Sequence, residues 1–168
     1  MNKILLPVRS FQETLHAGMC GPASLKIILT YFGIEKTESE LAAMCHVDEQ
    51  LGVNENDLRR VAESFGFHVT IKNESTFEDI TMWLVKDVPV IVNWFTRGRI
   101  DYDDSAVADG HYSVVMGLDE EFIYLQDPEI GTMRKITRED FITVWFDFSG
   151  KTIKTDEMII RQMIIMQK

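Results

Sequence analysis

The sequence predicts an α+β domain in which N-terminal helices pack on a C-terminal antiparallel sheet. Two observations carry this. Apolar residues recur at helical spacing through most of the first half, and valine-rich or alternating runs separated by short turns dominate the second. A third bounds the size: 168 residues are one domain's worth, enough to close a core, and no repeat or Pro/Gly/Ser-rich linker divides 1–168.

The first helix is expected over Pro22–Phe32, where Leu25, Ile28, Leu29 and Phe32 form an i, i+3, i+4, i+7 stripe. Pro22 suits the first turn and Gly33 the left-handed stop. A second begins at Thr37, where Thr37-Glu38-Ser39-Glu40 spells a capping box. A third runs over Glu55–Phe65, ended by Gly66, and a fourth over Phe77–Val85. Strands are expected at Phe67–Ile71, Val90–Phe95, Tyr112–Leu118, Phe122–Gln126 and Thr132–Ile136. Asp119-Glu120-Glu121 reads as a hairpin turn. Thr137 caps a short helix that turns Phe141 and Trp145 inward, and the apolar Met158–Met166 run reads as strand.

Composition narrows the function. Apolar residues make up 45% and charged residues 26%, the balance of a globular protein. The net charge of −10 repels phosphate backbones and anionic lipid, which argues against nucleic-acid or membrane-surface partners. Two cysteines make no disulfide framework, and the Met1–Ser10 segment is too short in its apolar run for a signal peptide. A reducing cytoplasm is therefore expected, where a lone thiol stays reactive.

Cys20 stands in Gly18-Met19-Cys20-Gly21-Pro22-Ala23-Ser24 at the entry to the first helix. A helix N-terminus carries about half a positive charge and unpaired amides, which favour a thiolate nucleophile. Gly21 would let a substrate approach the backbone. A thiolate needs an imidazole to hold and return a proton, and a third group to orient that ring. Of four histidines, His16 is a loop residue, His46 ends the second helix and His68 begins a strand. His111 follows Asp109-Gly110 and leads into the Tyr112–Leu118 strand. It lies nine positions before Glu120, and Asp127 lies seven after, so a hairpin can bring the two together.

Cys20-Gly21-Pro22-Ala23-Ser24, Gly110-His111-Tyr112-Ser113-Val114-Val115 and Gln126-Asp127-Pro128 resemble, in order, the three signature blocks of peptidase family C39 and its C39-like relatives. The resemblance spans roughly Phe11 to Phe146. It implies a papain-like fold, amide hydrolysis through a thioester acyl-enzyme, no cofactor, and catalytic roles for Cys20, His111 and Asp127. Family members include the leader-peptide-cleaving domains of bacteriocin exporters, so the implied partners are a peptide or protein substrate and a separate exporter. The family's oxyanion-hole glutamine stands six positions before the cysteine, where this chain has Thr14. A bulge at His16-Ala17-Gly18 would let Gln12, eight back, serve beside the Cys20 backbone amide. An acyl- or peptidyl-transferase would use the same site, and a non-catalytic peptide-binding module is the reading from a different class.

Other residues read as structural or as cleft wall. Cys45 lies on the apolar stripe of the second helix and reads as core, and its neighbour His46 forms no metal cluster with it. Trp94 and Tyr112 read as core, and the loop around Gly52 as packing near the cleft. Asp101, Asp103, Asp104 and Asp109 crowd the approach to His111. Gly110, Asp103 and Asp104 are the candidate substrate-binding positions there.

Overall fold

The computed structural model describes residues 3–15, 18–48, 52–96, 110–150 and 153–168. The elements run β1 (Ile4–Leu5), α1 (Cys20–Tyr31), α2 (Glu38–Cys45), α3 (Glu55–Ser64), β2 (His68–Lys72), α4 (Phe77–Leu84) and β3 (Val90–Phe95). They continue with β4 (Gly110–Leu118), β5 (Phe122–Asp127), β6 (Thr132–Thr137), α5 (Arg138–Val144), β7 (Phe146–Phe148), β8 (Met158–Ile160) and β9 (Met163–Gln167).

Local chemistry sets the helix starts. Thr37 and Glu40 form the expected capping box on α2, and Thr76 with Asp79 forms another on α4. Asn54 caps α3 through the amides of Asn56 and Asp57, and Thr137 caps α5 through that of Asp140. α1 departs from expectation. It begins at Cys20, two residues before Pro22, and its N-cap Met19 offers no side-chain acceptor. The thiol therefore stands in the first helical turn itself, where amides have no intrahelical partner.

Seven strands form one antiparallel sheet in the order β2-β9-β3-β4-β5-β6, with β1 pairing to the end of β4 beyond β3. The apolar Met158–Met166 run is two strands rather than one. Arg161, at φ 47°, reverses the chain between β8, which pairs only with β7, and β9, which enters the main sheet between β2 and β3. Every residue of β3 is buried, and all but the first of β4 and of β5, so the central sheet is covered on both sides. On one side α1 packs against β4, where Gly21 lies beside the Tyr112 ring. On the other, Trp94 donates from its indole nitrogen to Ser113 Oγ at 3.0 Å and meets Phe141 of α5 at 6.0 Å between ring centroids. Both faces are thereby closed over.

The β4–β5 hairpin turns at Glu120-Glu121, with Asp119 Oδ1 accepting from the amides of Glu121 and Phe122. Near the turn Leu118 pairs with Ile123 and Gly117 with Tyr124. A bulge between Val115 and Gly117 then shifts the register, and Val115 pairs with Leu125 and Val114 with Gln126.

Candidate active site

His111 is the second residue of β4 rather than a residue before it, and Asp127 is the last of β5. His111 Nε2 lies 2.7 Å from Asp127 Oδ1. Its other ring nitrogen, Nδ1, is free of that carboxylate, and the Cys20 thiol lies near enough for its charge to act on the ring. The structure thus brings together the three residues that the sequence singled out, at the N-terminus of α1 and the open end of the β4–β5 hairpin.

The imidazole is enclosed. Its side chain is 8% exposed and that of Asp127 is 0% exposed, and Trp94 meets the ring edge-to-face at 5.7 Å between centroids. Burial works against the charged ring, but Asp127 and Cys20 outweigh it and hold the imidazole pKa up at about 10. Burial likewise pushes the Asp127 carboxyl up, and there His111 and Arg134 win, keeping it below the ordinary carboxylate range. Both shifts favour an imidazolium–carboxylate pair.

Two further residues belong to this cluster and carried no sequence signal of their own. Arg134 of β6 donates from Nε to Asp127 Oδ2 at 2.6 Å, with its side chain 10% exposed. Asp127 Oδ1 also accepts from the Glu129 amide at 3.1 Å, so both carboxylate oxygens are held. The β5–β6 register pairs Asp127 with Thr132 and places Arg134 two residues farther along β6. A tight turn at Pro128–Gly131 could have suggested that diagonal neighbour from the sequence. The second residue is Glu13. Its carboxyl is pushed up to about 7, first by burial, then against the pull of His111 by Glu129, Asp127 and Glu38.

Three expected site positions are engaged elsewhere in the fold. Gln12 lies along the β5–β6 turn, its amide donating to the Glu129 carbonyl at 3.2 Å and its side chain packing over Gly131. That bond ties one N–H of the amide to the β5–β6 turn. Gly21 is buried, and a β-carbon there would run into Val53 Cγ2, so its smallness serves packing between α1 and the segment before α3, not substrate approach. At Gly110 a β-carbon would meet the end of the Asp147 side chain of β7, which would have to turn aside, so the space over that glycine is taken by a carboxylate. Asp101, Asp103, Asp104 and Asp109 lie outside the described residues, as does His16.

The remaining assignments follow the expected lines. Cys45 is fully buried, and burial, with Asp57 adding to it, pushes its thiol up to about 12. His46 is the left-handed C-cap of α2. Gly18, two residues before Cys20, and Gly52, both at positive φ, let their backbones approach closely beside the Asp48–Gly52 bridge. Among the described residues, His111, Asp127 and Glu129 have ligand-type atoms within 4.8 Å of one another. The His111 and Asp127 atoms of that set are already hydrogen-bonded to each other, which is the geometry of a proton-sharing pair. No helix among the described residues is long and apolar enough to cross a membrane.

Comparison with known proteins agrees with this architecture. An uncharacterized protein of Methanothermobacter thermautotrophicus is 29% identical over 137 residues, covering 80% of this chain and 79% of its own length. The transport/processing ATP-binding protein ComA of Streptococcus pneumoniae is 27% identical over 129 residues, which are 75% of this chain but only 16% of ComA. Among solved structures, a putative C39-like peptidase from Bacillus anthracis superposes with a TM-score of 0.74 at 18% identity, covering 100% of this chain and 98% of that one. A double glycine motif protease from an AMS/PCAT transporter, solved with its leader peptide, gives 0.62 at 19% identity, covering 99% and 98%. The fold is that of the C39-like peptidases. The model of the Peptidase_C39 like family matches residues 6–153, and the chain belongs to that family.

Proposed function

We propose that the chain, acting as one domain over 1–168, is a cysteine peptidase that cleaves a peptide bond of a peptide or protein substrate in a reducing cytoplasm. The observation that carries this is His111 standing between the Asp127 carboxylate at 2.7 Å and the Cys20 thiol at a helix N-terminus. The Cys20 thiolate attacks the scissile carbonyl carbon, and the oxyanion faces the Cys20 backbone amide. As the C–N bond breaks, the His111 imidazolium gives its proton to the leaving amine and a thioester remains. Neutral His111 then takes a proton from water as the water oxygen attacks the thioester, and sulfur leaves as thiolate. Asp127, fixed by Arg134, orients the ring and stabilises its charge. Hydrolysis under this scheme uses only side chains, backbone and water.

The double glycine motif protease solved with a leader peptide, and the processing protein ComA, suggest the substrate class: a leader peptide cut after two glycines, with a separate exporter as partner. The test is chemical before it is enzymatic. Iodoacetamide should alkylate Cys20 of the native protein at neutral pH, while Cys45 reacts only after unfolding. A synthetic leader peptide containing Gly-Gly should be cut by the wild type and left intact by Cys20→Ala, as read by mass spectrometry. Equal labelling of both thiols, or cleavage that survives Cys20→Ala, would overturn the assignment.

A further inference from the structure

The turn between β5 and β6 brings a second carboxylate to the site, and the reaction above does not use it. The turn starts at Asp127, whose Oδ1 accepts from the Glu129 amide at 3.1 Å, and it closes where the Gly131 amide donates to the Asp127 carbonyl at 3.0 Å. The Glu129 carbonyl accepts from the Gln12 side-chain amide at 3.2 Å, and the Pro128 carbonyl accepts from the Glu13 N–H at 2.8 Å. Backbone bonds on both sides of Glu129 thus fix where its side chain leaves the turn.

That side chain returns to the imidazole. A Glu129 carboxylate oxygen lies within 4.8 Å of both a His111 ring nitrogen and an Asp127 carboxylate oxygen. Asp127 meets His111 Nε2 at 2.7 Å through Oδ1 and Arg134 Nε at 2.6 Å through Oδ2. The charged groups about the ring are therefore Asp127 on β5, Glu129 in the turn, Arg134 on β6, Cys20 at the start of α1 and Glu13 ahead of it. With Arg134 set against Asp127, a protonated His111 faces two carboxylates rather than one. An opposite charge at such a distance holds a proton on a basic group.

We propose that Glu129 is a positioning residue for the reaction of Cys20, a second carboxylate that keeps the proton on His111 until the leaving amine takes it. The inference rests on the reading of Cys20 and His111 as the working pair. Asp127 orients the ring through the 2.7 Å bond, whereas Glu129 acts through its charge. The bonds that Glu129 makes to Asp127 and Gln12 use its backbone amide and carbonyl. Glu129→Gln therefore removes the charge and leaves the turn in place.

Ring-labelled histidine NMR on the full chain tests this without a substrate. The chain has four histidines, and the His111 signal is assigned by its loss in His111→Asn. Wherever the wild-type midpoint falls, that of Glu129→Gln should lie about one pH unit lower, a tenfold loss in proton affinity. Glu129→Asp, with its carboxylate on a shorter stem, should keep part of the difference. Glu121→Gln removes an exposed carboxylate at the opposite end of β5 and should leave the midpoint where it is, which separates the effect from a change in net charge. On a Gly-Gly leader peptide, the alkaline limb of kcat should move down with the NMR midpoint at unchanged KM, whereas a purely structural role would lower the whole profile. A Glu129→Gln titration that superimposes on the wild type, or an equal shift in Glu121→Gln, overturns the proposal. Should Glu129→Gln fail to fold, Glu129→Ala carries the same test with the same outcomes. Failure of the catalytic reading would show separately, as indiscriminate alkylation of Cys20 and Cys45 with the His111 shift intact.

Discussion

Arg134 is the residue whose replacement most directly tests the electrostatics of the cluster. Its Nε lies 2.6 Å from Asp127 Oδ2, with the side chains 10% and 0% exposed. Removing one partner of a buried pair typically costs about 3–5 kcal/mol, because the other charge stays buried. Here the His111 imidazolium still faces Oδ1, so Arg134→Met should sit at the low end, about 3 kcal/mol, while that ring is protonated. The pH dependence has a definite sign. His111 has its pKa raised from 6.5 to about 10, so its stabilisation is complete below 6.5 and is lost as pH rises through about 10. In Arg134→Met that loss also strips Asp127 of its last cation, and the deficit against wild type should widen over the same interval. On the acid side, Asp127 is a depressed carboxyl, so its contribution is present above its ordinary 3.8 and lost as pH falls through the folded value. Without Arg134 that folded value rises, and acid unfolding should begin at higher pH. Urea unfolding of both proteins from pH 4 to 10 reads all of this. The double variant Arg134→Met with Asp127→Asn should recover part of the loss at neutral to alkaline pH, since no buried carboxylate is then left without Arg134 and the His111 ring, no longer held up by that carboxylate, can shed its proton. A deficit under about 1 kcal/mol that does not change with pH would refute the reasoning.

Two further outcomes follow from the site's geometry. Gly21→Ala should lower stability by about 1–3 kcal/mol through overpacking against Val53, and Val53→Ala in the same chain should recover most of it in a thermal melt. A neutral Gly21→Ala would mean that the α1 start is less tightly packed than the contact requires. Gln12→Ala should reduce kcat/KM less than tenfold, because its amide already serves the Glu129 carbonyl, whereas loss of a full oxyanion donor costs about a hundred-fold to a thousand-fold. A hundred-fold fall in kcat at unchanged KM would put that amide at the oxyanion after all.

What the sequence makes legible here is whatever depends on neighbours along the chain. The capping box at Thr37, the buried stripe of α1 and the valine-rich strands are local features, and they form where periodicity places them. The split of the C-terminal run into β8 and β9 is not local. An apolar run reads the same whether or not Arg161 reverses it, and the reversal is settled by the two different strands that the halves pair with. The glycines show the same limit from the other side. Gly21 and Gly110 were read from their place beside Cys20 and His111 as openings for a substrate, whereas Val53 and the end of the Asp147 side chain, far off in sequence, are what occupy the space over them. Glu13 and Arg134 were invisible for the same reason, since their meaning comes from Asp127 and His111 and not from their own surroundings.

The meeting of His111 with Asp127 lies between these cases. Counting residues on either side of Glu120 suggests a pairing, but the register at the turn would not produce it. With Leu118 opposite Ile123 and Gly117 opposite Tyr124, an unbroken ladder would put Asp127 opposite Val114. Residues directly opposite share a face, and alternate residues of a strand share a face, so Asp127 would then lie on the side of the sheet away from His111. The bulge between Val115 and Gly117 removes this conflict. It moves the register by one, so that Val114 pairs with Gln126 and Asp127 comes opposite Ser113, two residues from His111 on the same face. A diagonal neighbour at that spacing is within reach of a long side chain, and the 2.7 Å contact is the result. One extra residue in β4, well away from the site, thus decides whether the imidazole has a carboxylate behind it at all.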